Sequence, residues 1–323
     1  MSEMTPAASV RAKIRVVPTI VVVIALAIVP LVWRNDYVIS LLILILLSSL
    51  MTQSWNLTLG SGIWNLGQLA IIASGGYVTG LLTVTFGVSA WLALPAGVLA
   101  GGLAAAIIVL PVIRLRGIFA ALLTLAGAEV VRLLIIADPA GLTGGRFGLS
   151  GVKGLFDNLS ATWSLRASFW LTLVLSVAVM LLAQRTMGSP LGRGSGRRRQ
   201  AVMMTLVSGL IAGLAGGLYA TFYHGITPSF IALGPMGLLA IMVVVGGLGT
   251  VRGPIIGAFV VTILSEALRD TVVWRLVVLG ALLFVVLAFS PAGIDGLLQR
   301  SIDKLRLWMG FRPGVPREER KER

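Results

Sequence analysis

Polar and apolar residues are distributed along this chain in long blocks, without the short period of an amphipathic helix or a half-buried strand. Apolar runs occupy Val16–Trp33, Val38–Leu59, Ile63–Phe86, Ala90–Ile113, Ile118–Ala137, Ser168–Ala183, Ala201–Tyr223, Pro235–Gly249, Pro254–Arg269 and Val273–Ser290. Crossing a bilayer takes about 20 apolar residues in helical form. Helices apolar all round are surrounded by lipid or by other helices. The pattern therefore predicts an all-α polytopic membrane protein with about ten spans. Two places break it. Leu59–Gln68 sets Gly, Ser, Asn and Gln inside an apolar stretch, and Leu233–Gly257 is short, glycine-rich and interrupted by Pro235 and Pro254. Unwound backbone at membrane depth is tolerated where it lines a cavity or is buried in protein, and close packing through small residues is the plainer role for Gly246-Gly247-Leu248-Gly249.

Charge sets the direction of these spans. Gln184–Gln200 carries five arginines and no acid between two apolar runs, and basic loops stay on the cytoplasmic side. The polar arm 1–15 ends in Arg11, Lys13 and Arg15, and the run after it lacks a small-residue cleavage site, so it reads as a retained first helix that starts inside. Counting from there, the sixth span emerges at Gln184 and the last before Arg300, Lys304 and Arg306, all inside. The expected domains are the arm 1–15, a transmembrane region 16–290 with the basic loop 184–200 inside and 138–167 outside, and a basic cytoplasmic tail 291–323. Both termini are expected in the cytoplasm.

Composition narrows the class further. Of 323 residues 57% are hydrophobic and only 12% charged, with a mean hydropathy of +0.98. A soluble domain is about a quarter charged, so most of this surface meets lipid. The excess of 26 Lys+Arg over 12 Asp+Glu gathers in the arm, the loop and the tail, which topology and anionic head groups explain without nucleic acid. There is no cysteine, hence no disulfide framework and no cysteine-ligated metal.

Few residues carry candidate chemistry. A central intramembrane carboxylate costs about 2.5–3.5 kcal/mol on insertion scales and needs a partner or water. Glu129 has Arg132 three residues on, and Glu266 has Arg269 at the same spacing, which places each pair on one helix face. Local neutralisation suffices for Glu266, whereas Glu129 lies deeper and also suits a hydrated cavity. The two Glu-x-x-Arg pairs each follow an Arg-Gly, Arg116-Gly117 and Arg252-Gly253, as a weak internal echo. The lone His224 has no second ligand-type residue beside it and reads as interfacial. No phosphate loop, nucleophile elbow or His/Glu metal spacing occurs, so neither a cofactor nor a catalytic residue is expected. A membrane enzyme would need several convergent polar residues at one depth, and the chain offers few.

Longer stretches resemble the branched-chain amino-acid ABC permeases of the LivM type. They are Asn56-Leu57 with GSGIWNLGQLAIIASGGYVTGLL after it, RLRGIFAALLTLAGAEVVRLL (Arg114–Leu134), GLSG (Gly148–Gly151), SGLIAGLAGGLYATFYHGITPSF (Ser208–Phe230), LLAIMVVVGGLGTVRGPIIGAFVV (Leu238–Val261) and FSPAGIDGLL (Phe289–Leu298). The resemblance implies a type II ABC-importer-like permease fold in a bacterial inner membrane. It also implies a second permease subunit, cytoplasmic ATPase subunits and an extracytoplasmic substrate-binding protein as partners. Asn56, Asn65, Gln68 and Glu129 become candidates for the substrate path, and Arg114, Arg116, Ser189, Arg193 and Arg252 for loops facing the ATPase.

One stretch departs from the family pattern. Ser189-Pro190-Leu191-Gly192-Arg193 leads in similar members to a segment containing a coupling helix, but here Gly194-Ser195-Gly196 and three arginines follow directly. Gly/Ser runs behave as flexible linkers. The expected function is an importer subunit for branched-chain or related small amino acids. A transport-inactive scaffold that lost coupling and a urea or amide permease are the alternatives.

Overall fold

The structure is a computed structural model, and it describes residues 23–32, 35–115, 117–188, 197–290 and 293–297. The arm 1–15, the loop residues 189–196, Arg116 and the tail from 298 onward lie outside the described residues. Helices form where the apolar runs were read: α1 (Val23–Val32), α2 (Asp36–Gly60), α3 (Gln68–Val84), α4 (Ala90–Val109) and α5 (Ile118–Ala137). They continue as α6 (Ala161–Gly188), α7 (Arg197–Tyr223), α8 (Leu233–Gly246), α9 (Gly253–Ala267) and α10 (Val272–Phe289). Among the described residues six helices are long and apolar enough to cross a membrane, and α1, α3, α8 and α9 are shorter apolar helices.

Three of the helix starts, those of α3, α6 and α7, lie well away from the starts of the apolar runs. The Asn65 side chain accepts the Gly67 N–H at 2.9 Å and Leu66 N–H bonds to the Thr124 hydroxyl at 3.0 Å, so residues 61–67 stay unwound and α3 begins at Gln68. Helix α6 starts at Ala161, inside the stretch read as outer loop, and α7 starts at Arg197, ahead of Ala201. Both additions are polar or basic turns that extend an apolar helix.

Helices α2 and α7 form the centre. Two-thirds of the apolar window of each is buried, against a third or less in α4, α5, α6 and α10. Helix α7 lies against α2, α3 and α4, while α2 also carries α6 and α9. The tightest crossing joins α3, α4 and α7. A Cβ on Gly213 would run into the Gly97 carbonyl, come 2.8 Å from the Val98 oxygen and 3.0 Å from Gly101 Cα, and one on Gly216 would strike the Ile72 carbonyl. Small residues let membrane helices approach to backbone contact, which supplies dispersion where lipid removes the hydrophobic drive.

The helices alternate in direction. At one end Tyr37, at the start of α2, donates its hydroxyl to Glu266 at the end of α9 (2.8 Å). There too Trp91 of α4 donates to the Leu155 carbonyl (2.9 Å). The segment 138–160 ties down at this same end. Its β1 (Leu149–Ser150) pairs antiparallel with β2 (Gly225–Ile226), just beyond α7. At the other end α2 grips the loop between α8 and α9, Met187 of α6 lies over Gly60, and Gly293 packs on Gly247.

Candidate functional site

A stripe of polar residues runs along the buried face of α2. Thr52, Gln53, Ser54, Asn56 and Thr58 are each 1% exposed or less. In a medium without water each must find a protein partner, and the sequence supplies two sets.

The first set holds the α8–α9 loop. Asn56 Nδ2 donates to the Thr250 carbonyl (2.8 Å) and Asn56 Oδ1 accepts the Gly249 N–H (3.0 Å). One turn away, Gln53 Nε2 donates to the Val251 carbonyl (2.6 Å), and the Thr52 hydroxyl reaches the Pro254 carbonyl (3.2 Å). The break exists because Gly247 adopts φ 122° and Gly249 φ 75°, conformations open to glycine alone at little cost. Thr250 closes the turn by accepting the Gly253 N–H (3.0 Å).

The second set ties α2 to α3 and α7. Gln68 Nε2 donates to the Ser54 hydroxyl (2.9 Å), and Gln68 Oε1 accepts from Asn65 Nδ2 (2.8 Å). Ser208 of α7 donates to the Ser54 carbonyl (2.6 Å) and accepts the Thr58 hydroxyl (2.7 Å). Trp55 Nε1 donates to the Asn65 carbonyl. The path candidates Asn56, Asn65 and Gln68 thus come together around one helix, each 0% exposed and each bonded to protein.

Glu129 is placed differently. Ala120, Ala121, Thr124, Ala128 and Ile135 form the buried stripe of α5, and Glu129 faces away from it. Its side chain is 50% exposed and that of Arg132 28%. Arg132 holds it bidentately, Nε on Oε2 at 2.8 Å and Nη2 on Oε1. At a rise of about 1.5 Å per residue, Glu129 sits roughly 12 Å from the Ala137 end of its helix. Leu122, Leu123, Val130, Leu133 and Leu134 complete this uncovered face.

Of the loop candidates, Arg114 closes a short 3-10 turn, Leu110–Arg114, after α4, and Arg252 sits at the N-cap of α9 beside the gripped loop. Arg116, Ser189 and Arg193 lie outside the described residues. Sequence reasoning passed over Gln53, Ser54, Ser208 and Thr124. The signal was present: Thr52, Gln53 and Asn56 share one face of an apolar helix, and polar groups there need partners.

The segment 138–160 forms a strap across one end of the bundle. Asp138 ends α5 in the left-handed conformation (φ 43°) and accepts the N–H groups of Leu142, Thr143 and Gly144 at 2.7–3.1 Å. These bonds, Thr143's first, hold its carboxyl below the usual carboxylate range. His224 closes the other side, with Nδ1 3.0 Å from the Val152 carbonyl and Val152 N–H on the His224 carbonyl (3.2 Å). Phe147 stands at the tip, 91% exposed.

A helical bundle with six helices among the described residues long and apolar enough to cross a membrane, and two unwound segments bound by buried polar side chains, is the architecture of a polytopic membrane protein. The chain belongs to the family of branched-chain amino acid transport system permease components, whose model matches residues 37–193 and 194–287. It is similar to the high-affinity branched-chain amino acid transport system permease protein LivM of Escherichia coli (strain K12), at 26% identity over 292 aligned positions covering 79% of this chain and 68% of that protein. It is 27% identical, with the same coverage, to the LivM protein of Salmonella typhimurium (strain LT2). The 292 positions take up 79% of 323 residues, about 255, so roughly 37 positions of the relative have no counterpart here. The family match itself divides between Arg193 and Gly194, where the family pattern is interrupted. No solved structure matches this chain.

Proposed function

We propose that this chain is the membrane-spanning subunit of an ATP-driven importer for branched-chain or related small amino acids in a bacterial inner membrane. It works with a second permease subunit, with ATPase subunits that hydrolyse ATP on the cytoplasmic side, and with a binding protein outside. The observation that carries the reading is the Glu129–Arg132 pair on the uncovered face of α5. A charged pair about 12 Å deep is costly against hydrocarbon and is retained where a partner subunit or water covers it. The face of α5 is then the wall of a translocation path, completed by the second permease. Asn56, Asn65 and Gln68 act from behind it by keeping the unwound segments in shape.

The test is uptake by the reconstituted complex, with leucine, isoleucine, valine, urea and small amides as candidate substrates. Glu129→Gln is expected to lower uptake at least tenfold while membrane abundance stays unchanged. The double variant Glu129→Gln with Arg132→Gln is expected to remain impaired. Recovery in the double variant would reduce Glu129 to a neutraliser of Arg132, and wild-type uptake by the single one removes it from the path. Uptake of urea alone would overturn the substrate class.

Sidedness follows from the arginine distribution. The chain has no cysteine, so single cysteines at Asn158 in the strap and at Leu248 in the gripped loop are expected to react with impermeant maleimide from opposite faces, Asn158 from outside. Labelling of both from one face sinks this topology.

A further inference from the structure

Between α6, α7 and the strap lies an open cavity of about 510 Å3. No residue of α5 lines it, so it is separate from the Glu129 face. Its lining mixes apolar side chains, among them Leu165, Leu218 and Phe222, with the polar Asp157, His224, Ser164 and Ser168.

The polar part of the lining is rich in acceptors. Asp157 Oδ2 takes the Gly154 N–H at 2.7 Å, which leaves Oδ1 turned over Gly154. A Cβ built on Gly154 would meet both that oxygen and His224 Cε1, the latter at 3.1 Å, so the carboxylate and the imidazole converge on one spot. His224 Nδ1 faces the Val152 carbonyl. A carbonyl only accepts, so Nδ1 carries the proton, and in the neutral tautomer of that kind Nε2 is an acceptor. Among the described residues Asp157 makes no ion pair, since the two found there are Glu129–Arg132 and Glu266–Arg269. The cationic Arg166 of α6 instead stacks on Trp163, 5.4 Å from its ring centroid.

A carboxylate and an imidazole acceptor beside two serines suit a group with several N–H donors and a positive charge. A primary ammonium has three donors and no acceptor. Leu165, Leu218 and Phe222 in the same lining offer apolar surface to an aliphatic chain, which is rewarded through lost apolar surface. We propose that this cavity is a second site on the permease, which receives an aliphatic amino acid by its ammonium group at Asp157 and His224 and by its side chain at Leu165, Leu218 and Phe222. The assignment of the ligand as an amino acid rests on the proposed function; the ammonium preference rests on the cavity alone. The site lies at the strap end of the bundle, where a substrate released outside first meets the permease. Helix α6 opens at its rim with Ala161, which sets the positive end of a helix where the carboxylate of such a ligand extends.

The experiment is calorimetric titration of the full chain in lipid nanodiscs with L-leucine, isoamylamine and 4-methylpentanoate. Leucine and isoamylamine keep the ammonium and are expected to bind saturably; 4-methylpentanoate lacks it and is expected not to bind. Asp157→Asn, which keeps an oxygen for the Gly154 N–H, is expected to weaken both ligands at least tenfold. Ser164→Leu, which adds bulk to the cavity lining, is expected to abolish binding, whereas Gly237→Ala in α8, where a Cβ meets nothing within 4 Å, leaves it unchanged. Binding of 4-methylpentanoate as tight as that of leucine, or wild-type affinity in both cavity variants, overturns the proposal. Isoamylamine binding without amino-acid uptake by the assembled transporter would keep the ammonium site and overturn the transport reading. Uptake of leucine with no saturable binding of either amine would do the reverse.

Discussion

Gly213→Leu is expected to leave almost no folded permease in the membrane. Added bulk in a packed interior typically costs about 1–3 kcal/mol when neighbouring side chains can shift. At Gly213 the obstacles are the Gly97 and Val98 carbonyls and Gly101 Cα, all backbone. Relief would require α4 and α7 to separate, which also opens the α3 contacts at Gly75 and Gly216. The cost therefore exceeds about 3 kcal/mol, a large part of the roughly 5–15 kcal/mol that folded proteins hold in reserve. Gly237→Ala in α8, where a Cβ meets nothing within 4 Å, is the matched control and is expected to be neutral or slightly stabilising. Abundance and thermal stability by fluorescence-detected size exclusion compare the two. A Gly213→Leu protein as abundant as wild type would show that the three helices do not cross this closely.

The second large effect is expected at Asn56. Leucine there has the same branched shape but leaves the Gly249 N–H and the Thr250 carbonyl without the partners that Asn56 supplies. Each buried polar group so abandoned costs about 1–3 kcal/mol, and at this depth water replaces the lost bonds poorly. Asn56→Leu is expected to lower the melting temperature of the purified protein and to loosen residues 247–252, seen as faster amide exchange there. Thr52→Val loses one long bond to Pro254 and bonds within its own helix, so it is expected to cost far less. Equal stability of Asn56→Leu and wild type would contradict the grip of α2 on this loop.

The helices were legible because an apolar run long enough to span a membrane is a strong one-dimensional signal. The two breaks were legible as well, since Asn65, Gln68 and the Gly246–Gly249 run stand out against apolar neighbours, although Pro235 and Pro254 fall in the first turns of α8 and α9 and do not interrupt them. What those residues bind was not legible. Asn56 meets Thr250 across 194 positions, and nothing along the chain announces such a pair. The exposure of Glu129 was hidden for a related reason: the spacing to Arg132 shows that the charges can meet, while the face they occupy depends on what α5 packs against. The β1–β2 ladder has only two residues per strand, too few for any alternation to be read. His224 was read as interfacial, and its ring bond to Val152 became visible only once the strap was placed over α7.

Helix α2 meets α9 at both extremities. Near one, Thr52 reaches Pro254 and its neighbours hold the preceding loop; near the other, the Tyr37 hydroxyl rests on Glu266. Helix α9 is thereby a strut pinned at two points some 20 Å apart along α2, a span set by the rise of about 1.5 Å per residue. A strut fixed this way can swing with its support but cannot pivot on it. Any opening and closing of the bundle is then expected to turn α2 and α9 together, with the give taken up by helices outside this pair.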